Sequence, residues 1–281
     1  MNKFVTAAKE LVKKGDAFLS QHGPLAFHHE AYELLRKANL PDLFDFKDLV
    51  QSSFAADFNP NQNYASAQFS DLPITIAMGE HCFLDVYFWR RRPTVIHDHH
   101  FTGAFQCLEG SNVDLEFEFI KTKKLGEFHD LGELSLKQSR NLSKGDIAPI
   151  DLLDKFIHQN HHQAELTINA CFRTPDIGET NLSNYLYSGL RFEKQPELLN
   201  RTERLMGFLY IDDFDIKGLN LTLDDALHFL IRNYRSTSRG KRFLEMKEFM
   251  QEKVEHELGL DLTQLLDAHE LKMDQIENQY N

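Results

Sequence analysis

The apolar residues of this chain change their repeat twice, and that change limits the folds open to it more than any other feature. In residues 2–55 they recur at helical spacing: Phe4, Ala7, Ala8, Leu11 and Val12, then Ala31, Leu34, Leu35 and Ala38. This predicts two or three amphipathic helices, broken at Gly23-Pro24 and near Pro41, with Phe46, Leu49, Val50 and Phe54 on one more. Residues 56–63 carry turn chemistry and form a boundary. From about residue 64 to 177 the repeat shortens towards two. The run Cys82 to Trp89 is aromatic and β-branched, Val113 to Phe119 alternates strictly, and Leu166 to Phe172 is a third such run. The alternation of Val113, Leu115 and Phe117 with Asp114, Glu116 and Glu118 predicts a strand with one buried and one wet face. Gly103, Gly110, Gly126, Gly132 and Gly145 punctuate the zone. Many short strands with regular turns predict a jelly-roll barrel of about eight strands. Beyond about residue 182 the helical repeat returns. Thr222 and Asp225 make a capping pair, Phe243, Met246, Met250 and Val254 line a helix that stops near Gly259, and Leu262, Leu265, Leu266 and Ile276 mark a last helix.

The expected class is therefore mainly β with α-helical extensions: a helical N-terminal arm over 1–60, a β-barrel over 61–180 and a helical region over 181–281. Composition narrows the function classes. No run of about 18 uncharged apolar residues offers a membrane span, and the charged N-terminus lacks the apolar core of a signal peptide. The three cysteines, Cys82, Cys107 and Cys171, have no CxxC spacing, which argues against a disulfide framework or zinc ribbon. A cytoplasmic protein is expected. A net charge of -12 disfavours nucleic acid, whose phosphates need clustered Lys and Arg. Arg90, Arg91 and Arg92 form the one short basic run and are expected to end a strand in solvent.

Six of the fourteen histidines fall in two groups inside the β zone: His97, His99, His100, then His158, His161, His162. Side chains two apart on a strand share a face, so His97 and His99 can point together into a barrel. His158 follows the Gly145-Asp146 turn and can return on a neighbouring strand. Three neutral imidazoles converging there suit Fe(II), Zn(II), Ni(II) or Cu(II) and leave positions open for substrate. His100, His161 and His162 are expected to face solvent or to lie behind the ligands, with His162 an alternative to His158. Asp98 is expected as a surface charge, and Trp89 and the phenylalanines as core.

The segment Pro93 to Gly110, with His97-Asp98-His99 at its heart, resembles the first motif of the cupins, an HxH followed by a closing Gly. It looks closest to the form in the thiol dioxygenases, cysteine dioxygenase and the bacterial 3-mercaptopropionate dioxygenases. Gly145-Asp146, Pro149 and Phe156-Ile157-His158 resemble the second cupin motif. The resemblance implies a cupin barrel with one Fe(II) held by His97, His99 and His158, activating O2 beside a small thiol or acidic substrate. Zn, Ni or Mn are alternative metals, and non-oxidative chemistry or simple ligand binding alternative uses.

The departures from that family are specific. Thr102, Gly103 and Ala104 stand where many cupins carry a Glu ligand, so the set is three His without a carboxylate. The family's active-site Tyr position falls at Arg173, which can donate hydrogen bonds but stays charged. Gly103 stands at the position of the crosslinking Cys, so no thioether is expected, and Cys107 is read as a small buried apolar group. Residues 64–80 contain no Arg or Lys to bind a substrate carboxylate. Arg173 is accordingly the candidate catalytic residue, taking over anion binding. A homodimer is expected, since barrel edges are commonly covered that way.

Overall fold

A computed structural model of the protein describes residues 2–53, 62, 70–177, 182–209, 216–234 and 240–280; Phe54 and most of the 56–63 boundary lie outside them. The chain divides into two compact units, residues 1–118 with 136–180, and residues 119–135 with 181–281. No helix among the described residues is long and apolar enough to cross a membrane.

The first unit opens with α1 (Lys3–His22), α2 (Phe27–Ala38), α3 (Leu40–Leu43) and α4 (Phe46–Ser53). Asn2 caps α1 by accepting from the backbone N–H groups of Phe4 and Val5 at 2.9 and 3.3 Å. The apolar stripe predicted from spacing, Phe4, Ala8, Leu11 and Val12, is buried. It packs with Phe27, Ala31 and Leu35 of α2 against Leu84, Val86, Phe88, Ala104, Ile168, Ala170 and Phe172. The N-terminal helices therefore cover one face of a sheet.

That sheet has the order β1-β2-β9-β4-β7, from β1 (Leu72–Met78), β2 (Phe83–Arg90), β9 (Leu166–Arg173), β4 (Gly103–Glu109) and β7 (Ile147–Ile150). A second runs β6-β5-β8-β3, from β6 (His129–Ser143), β5 (Ser111–Lys124), β8 (Leu153–His162) and β3 (Ile96–His99). Taking β2 to β9 as strands one to eight, the sheets read 1-8-3-6 and 5-4-7-2. This interleaving is the double Greek key of a jelly roll, the fold class of the cupins. Tyr87, Phe105, Ala148 and Cys171 from one sheet pack with Phe156 of the other, so these side chains lie between the sheets.

Register then decides which residues face inward. Phe105 is opposite Cys171 and Gly103 opposite Arg173, while Asp114 is opposite Asn160 and Glu116 opposite His158. The face of β5 read from sequence as wet is thus the barrel interior: Asp114 is fully buried and Glu116 7% exposed. The prediction fails because neither face meets water over this stretch: Val113, Leu115 and Phe117 are buried as well.

In the second unit the ends of β5 and β6 are joined by β10 (Ser183–Tyr185) and β11 (Leu190–Glu193), with Leu190 opposite Leu131 and Phe192 opposite His129. These two strands fall in the region read from sequence as helical. The helices are α5 (Pro196–Phe208), α6 (Leu223–Asn233), α7 (Gly240–Leu258) and α8 (Leu262–Tyr280). Thr222 and Asp225 form the capping box of α6. Phe243, Met246, Met250 and Val254 are buried with Leu227 and Phe229. Gly259, at φ +63°, ends α7 where the spacing predicted.

Gly103 marks the tightest approach between β4 and β9. A Cβ there would lie 2.2 Å from the Phe172 carbonyl oxygen and 2.8 Å from the Arg173 Cα. Only glycine fits without a shift of the β9 backbone. Gly103→Ala is expected to destabilise the first unit by about 1–3 kcal/mol through overpacking, measured as a shift in urea midpoint with unchanged m-value.

Candidate metal centre

β3 and β8 bring the three histidines together. His97 is opposite His158 across the ladder, and a register irregularity follows before His99. Imidazole nitrogens of His97, His99 and His158 all lie within 4.8 Å of one another, and all three side chains are buried. His99 Nε2 is 2.9 Å from His158 Nε2. Ligands at about 2.0–2.1 Å from a common metal sit near 3 Å apart when adjacent, so this spacing suits one ion. The far side of two rings is pinned. His97 Nδ1 donates to the Val95 carbonyl at 2.8 Å, and His158 Nδ1 donates to Asp114 Oδ1 at 2.7 Å. Each bond puts the proton on Nδ1 and turns the Nε2 lone pair towards the cluster. Burial pushes the His97 imidazole down to about 3, and His99 well below its usual value, so both rings stay neutral. A divalent cation fits this donor set. Among the described residues, no carboxylate or thiol joins the group.

Sequence reasoning missed the residues behind His158. Burial would raise the Asp114 carboxyl, but His158 and Arg140 together hold it below its ordinary value. Arg140 donates to Asp114 Oδ2 from Nε at 3.1 Å and from Nη2 at 2.6 Å, and its Nη2 also reaches Glu116 Oε2 at 3.2 Å. Lys137 donates to Glu116 Oε1 at 2.6 Å. The β5 alternation is the signal that could have found the acids, since it sets Asp114 and Glu116 on one face. Arg140, on a different strand, has no such signal.

Phe101, Phe105 and Phe156 line the site, with ring centroids 4.6 Å from His99, 6.3 Å from His158 and 4.6 Å from His158 respectively. Arg173 is 2% exposed, and its guanidinium stacks on Phe83 at 4.4 Å and Phe101 at 4.3 Å. Phe101 therefore touches both Arg173 and His99. Arg173 Nη2 is 3.9 Å from Asp85, whose carboxylate accepts from the Thr75 hydroxyl at 2.7 Å and the Tyr87 hydroxyl at 3.0 Å.

Other expectations need correcting. Asp98 is buried at 3% exposure rather than a surface charge, and of the two positions expected for His100, His161 and His162 their burial excludes the solvent-facing one. Around β8 the cover is local: Pro93 pairs with His161, and the Thr94 carbonyl accepts from Gln159 at 2.8 Å. His161 bonds Gln159 at 2.9 Å, and His162 stacks on Trp89 at 4.7 Å. Arg90, Arg91 and Arg92 are exposed as expected, with Arg92 2.9 Å from Asp71. Cys107 is buried, as expected, and burial pushes its thiol up to about 11.

Strand order and histidine cluster together define a cupin-fold barrel with a candidate three-histidine metal centre. A cupin-2 domain protein of Shewanella frigidimarina is similar to this chain at 16% identity, over 46% of this chain and 91% of that one, with a TM-score of 0.27. A hydroquinone 1,2-dioxygenase solved with Cd2+ and 4-hydroxybenzonitrile is 7% identical over 36% and 62%, at TM-score 0.28. A sugar phosphate isomerase of the cupin superfamily from Silicibacter pomeroyi is 12% identical over 48% and 83%, at TM-score 0.28. No family model matches the sequence, and no curated protein matches it.

Burial pushes the His162 imidazole down to about 3, against 6.5 when free. Its folded value is depressed, so unfolding takes up a proton between these limits. The stability it contributes is whole above pH 6.5 and is lost as pH falls towards 3. His162→Phe should therefore flatten the acid limb of a urea-stability profile by up to about 1.4 kcal/mol per pH unit, while keeping a ring against Trp89.

Proposed function

We propose that this protein is a metal-dependent cupin enzyme, a mononuclear Fe(II) oxygenase acting on a small acidic or thiol-bearing substrate. The observation that carries the reading is the charge balance around three imidazole ligands. Asp114 and Glu116 are offset by Arg140 and Lys137, so these two acids add almost no net negative charge beside the three histidines. A 2+ ion held by neutral imidazoles favours an anionic partner such as a thiolate or carboxylate. Bound Fe(II) would supply O2 activation.

The residues have separable roles in this reading. His97, His99 and His158 hold the metal, and Asp114 fixes the His158 tautomer. Phe101, Phe105 and Phe156 exclude water and keep the local dielectric low. Arg173, stacked on Phe101, is the cation proposed to orient the acidic end of the substrate, held by Asp176 at 3.4 Å and Asp85 at 3.9 Å.

Untagged protein should carry about one metal per chain, and His97→Ala or His158→Ala should each abolish stoichiometric binding. Retention of full metal by both variants would sink the ligand assignment. The Fe(II)-loaded protein should consume O2 in the presence of cysteine or 3-mercaptopropionate, and Arg173→Met should raise KM for such substrates more than it lowers kcat. Metal binding with no thiol-dependent O2 uptake would reject the thiol oxygenase and leave a cupin of different chemistry.

A further inference from the structure

Asp114 is fully buried in contact with a candidate ligand, and both its oxygens are committed. Oδ1 accepts from His158 Nδ1 at 2.7 Å. Oδ2 accepts two N–H groups of Arg140, at 3.1 and 2.6 Å. With donors on both sides the carboxylate cannot rotate about its Cβ–Cγ bond without breaking a charge-assisted hydrogen bond. Arg140 is anchored in turn, by Glu116 Oε2 at 3.2 Å and by the ring of Phe156, 5.8 Å from its guanidinium carbon. Glu116 is held from the surface by Lys137, whose side chain is 55% exposed. An unbroken series of ionic hydrogen bonds runs from solvent to the back of His158.

From this geometry we infer that Arg140 is a positioning residue for the metal centre, acting through Asp114 to keep His158 Nε2 aimed at the ion. The inference rests on the metal-binding reading above, but reaches a residue on β6 that approaches no ligand. Without Arg140, Oδ2 loses both donors inside the barrel. A buried carboxylate left half-paired reorients or draws the His158 proton into a weaker geometry. Arg140 would then set metal affinity without touching metal.

The test is a double-mutant cycle on the intact chain, read as Co(II) affinity by titration calorimetry. Co(II) is chosen because it stays divalent in air. Arg140→Met and Asp114→Asn should each weaken Co(II) binding about 10–100-fold, the range for residues that support a metal ligand. The double variant should bind no more weakly than Asp114→Asn alone, because Arg140 acts only through that carboxylate. Arg140→Lys should recover part of the loss, since it restores the charge but not the two-pronged contact. Equal affinity of Arg140→Met and wild type would overturn the inference, as would losses that multiply in the double variant. Should Arg140→Met fail to fold, Glu116→Gln removes only the anchor of Arg140 and should still weaken binding several-fold; wild-type affinity there would equally overturn it. Wild-type protein that binds no Co(II) would instead reject the metal centre itself.

Discussion

The buried carboxylate of Asp114 organises the barrel interior. It joins β5 to β8 through His158 and β5 to β6 through Arg140, so one side chain ties together three strands of the second sheet. Taking an acid fully out of water is unfavourable unless it is paired and hydrogen-bonded, and removing one partner of such a pair typically costs about 3–5 kcal/mol. The inward face of β5 can therefore be acidic only because β6 and β8 present donors at matching heights. Two of the three imidazoles are oriented by bonds behind them. One of them is turned by Asp114, and another by the Val95 carbonyl just ahead of its strand.

The two sheets are built on opposite logic. The β1-β2-β9-β4-β7 sheet buries an aliphatic outer face under α1 and α2, where burial of apolar area stabilises it at roughly 25 cal/mol per Å². Its inner face carries phenylalanines with Arg173, Asp85 and Tyr87 among them. The facing sheet contributes histidines and acids. The candidate site lies where these inner faces meet, with the three histidines and Phe156 on one side and Phe105 on the other. Stability of the unit rests largely on the helix-covered side, which leaves the interior free to be polar.

Much of the helical architecture was legible. The stripes of α1, α2 and α7 follow spacing alone, because a 3.6-residue repeat maps directly onto one face. The Thr222–Asp225 capping box was readable for the same local reason. Of the site, the His97 and His99 pair was legible through strand periodicity, and His158 through its turn and motif setting. Asp114 stood in plain view but was assigned to the wrong face. Arg140, and the strands β10 and β11, gave no local signal, since each owes its place to a partner distant in the chain. Asp98 was read as a surface charge because polarity was taken for solvent, whereas it is buried.

What the sequence by itself determined are the features that depend on neighbours a few residues away. These are the helical arms, the β zone between them, the glycine stops, and two histidines sharing a strand face. Tertiary structure alone decided which face of β5 points inward, which strand returns beside β3, and which basic side chain meets the buried acid. Those choices turn on pairing between segments 20 to 60 residues apart. Alternation of period two cannot distinguish inside from outside; only closure of the jelly roll, with every buried charge finding a partner, does so.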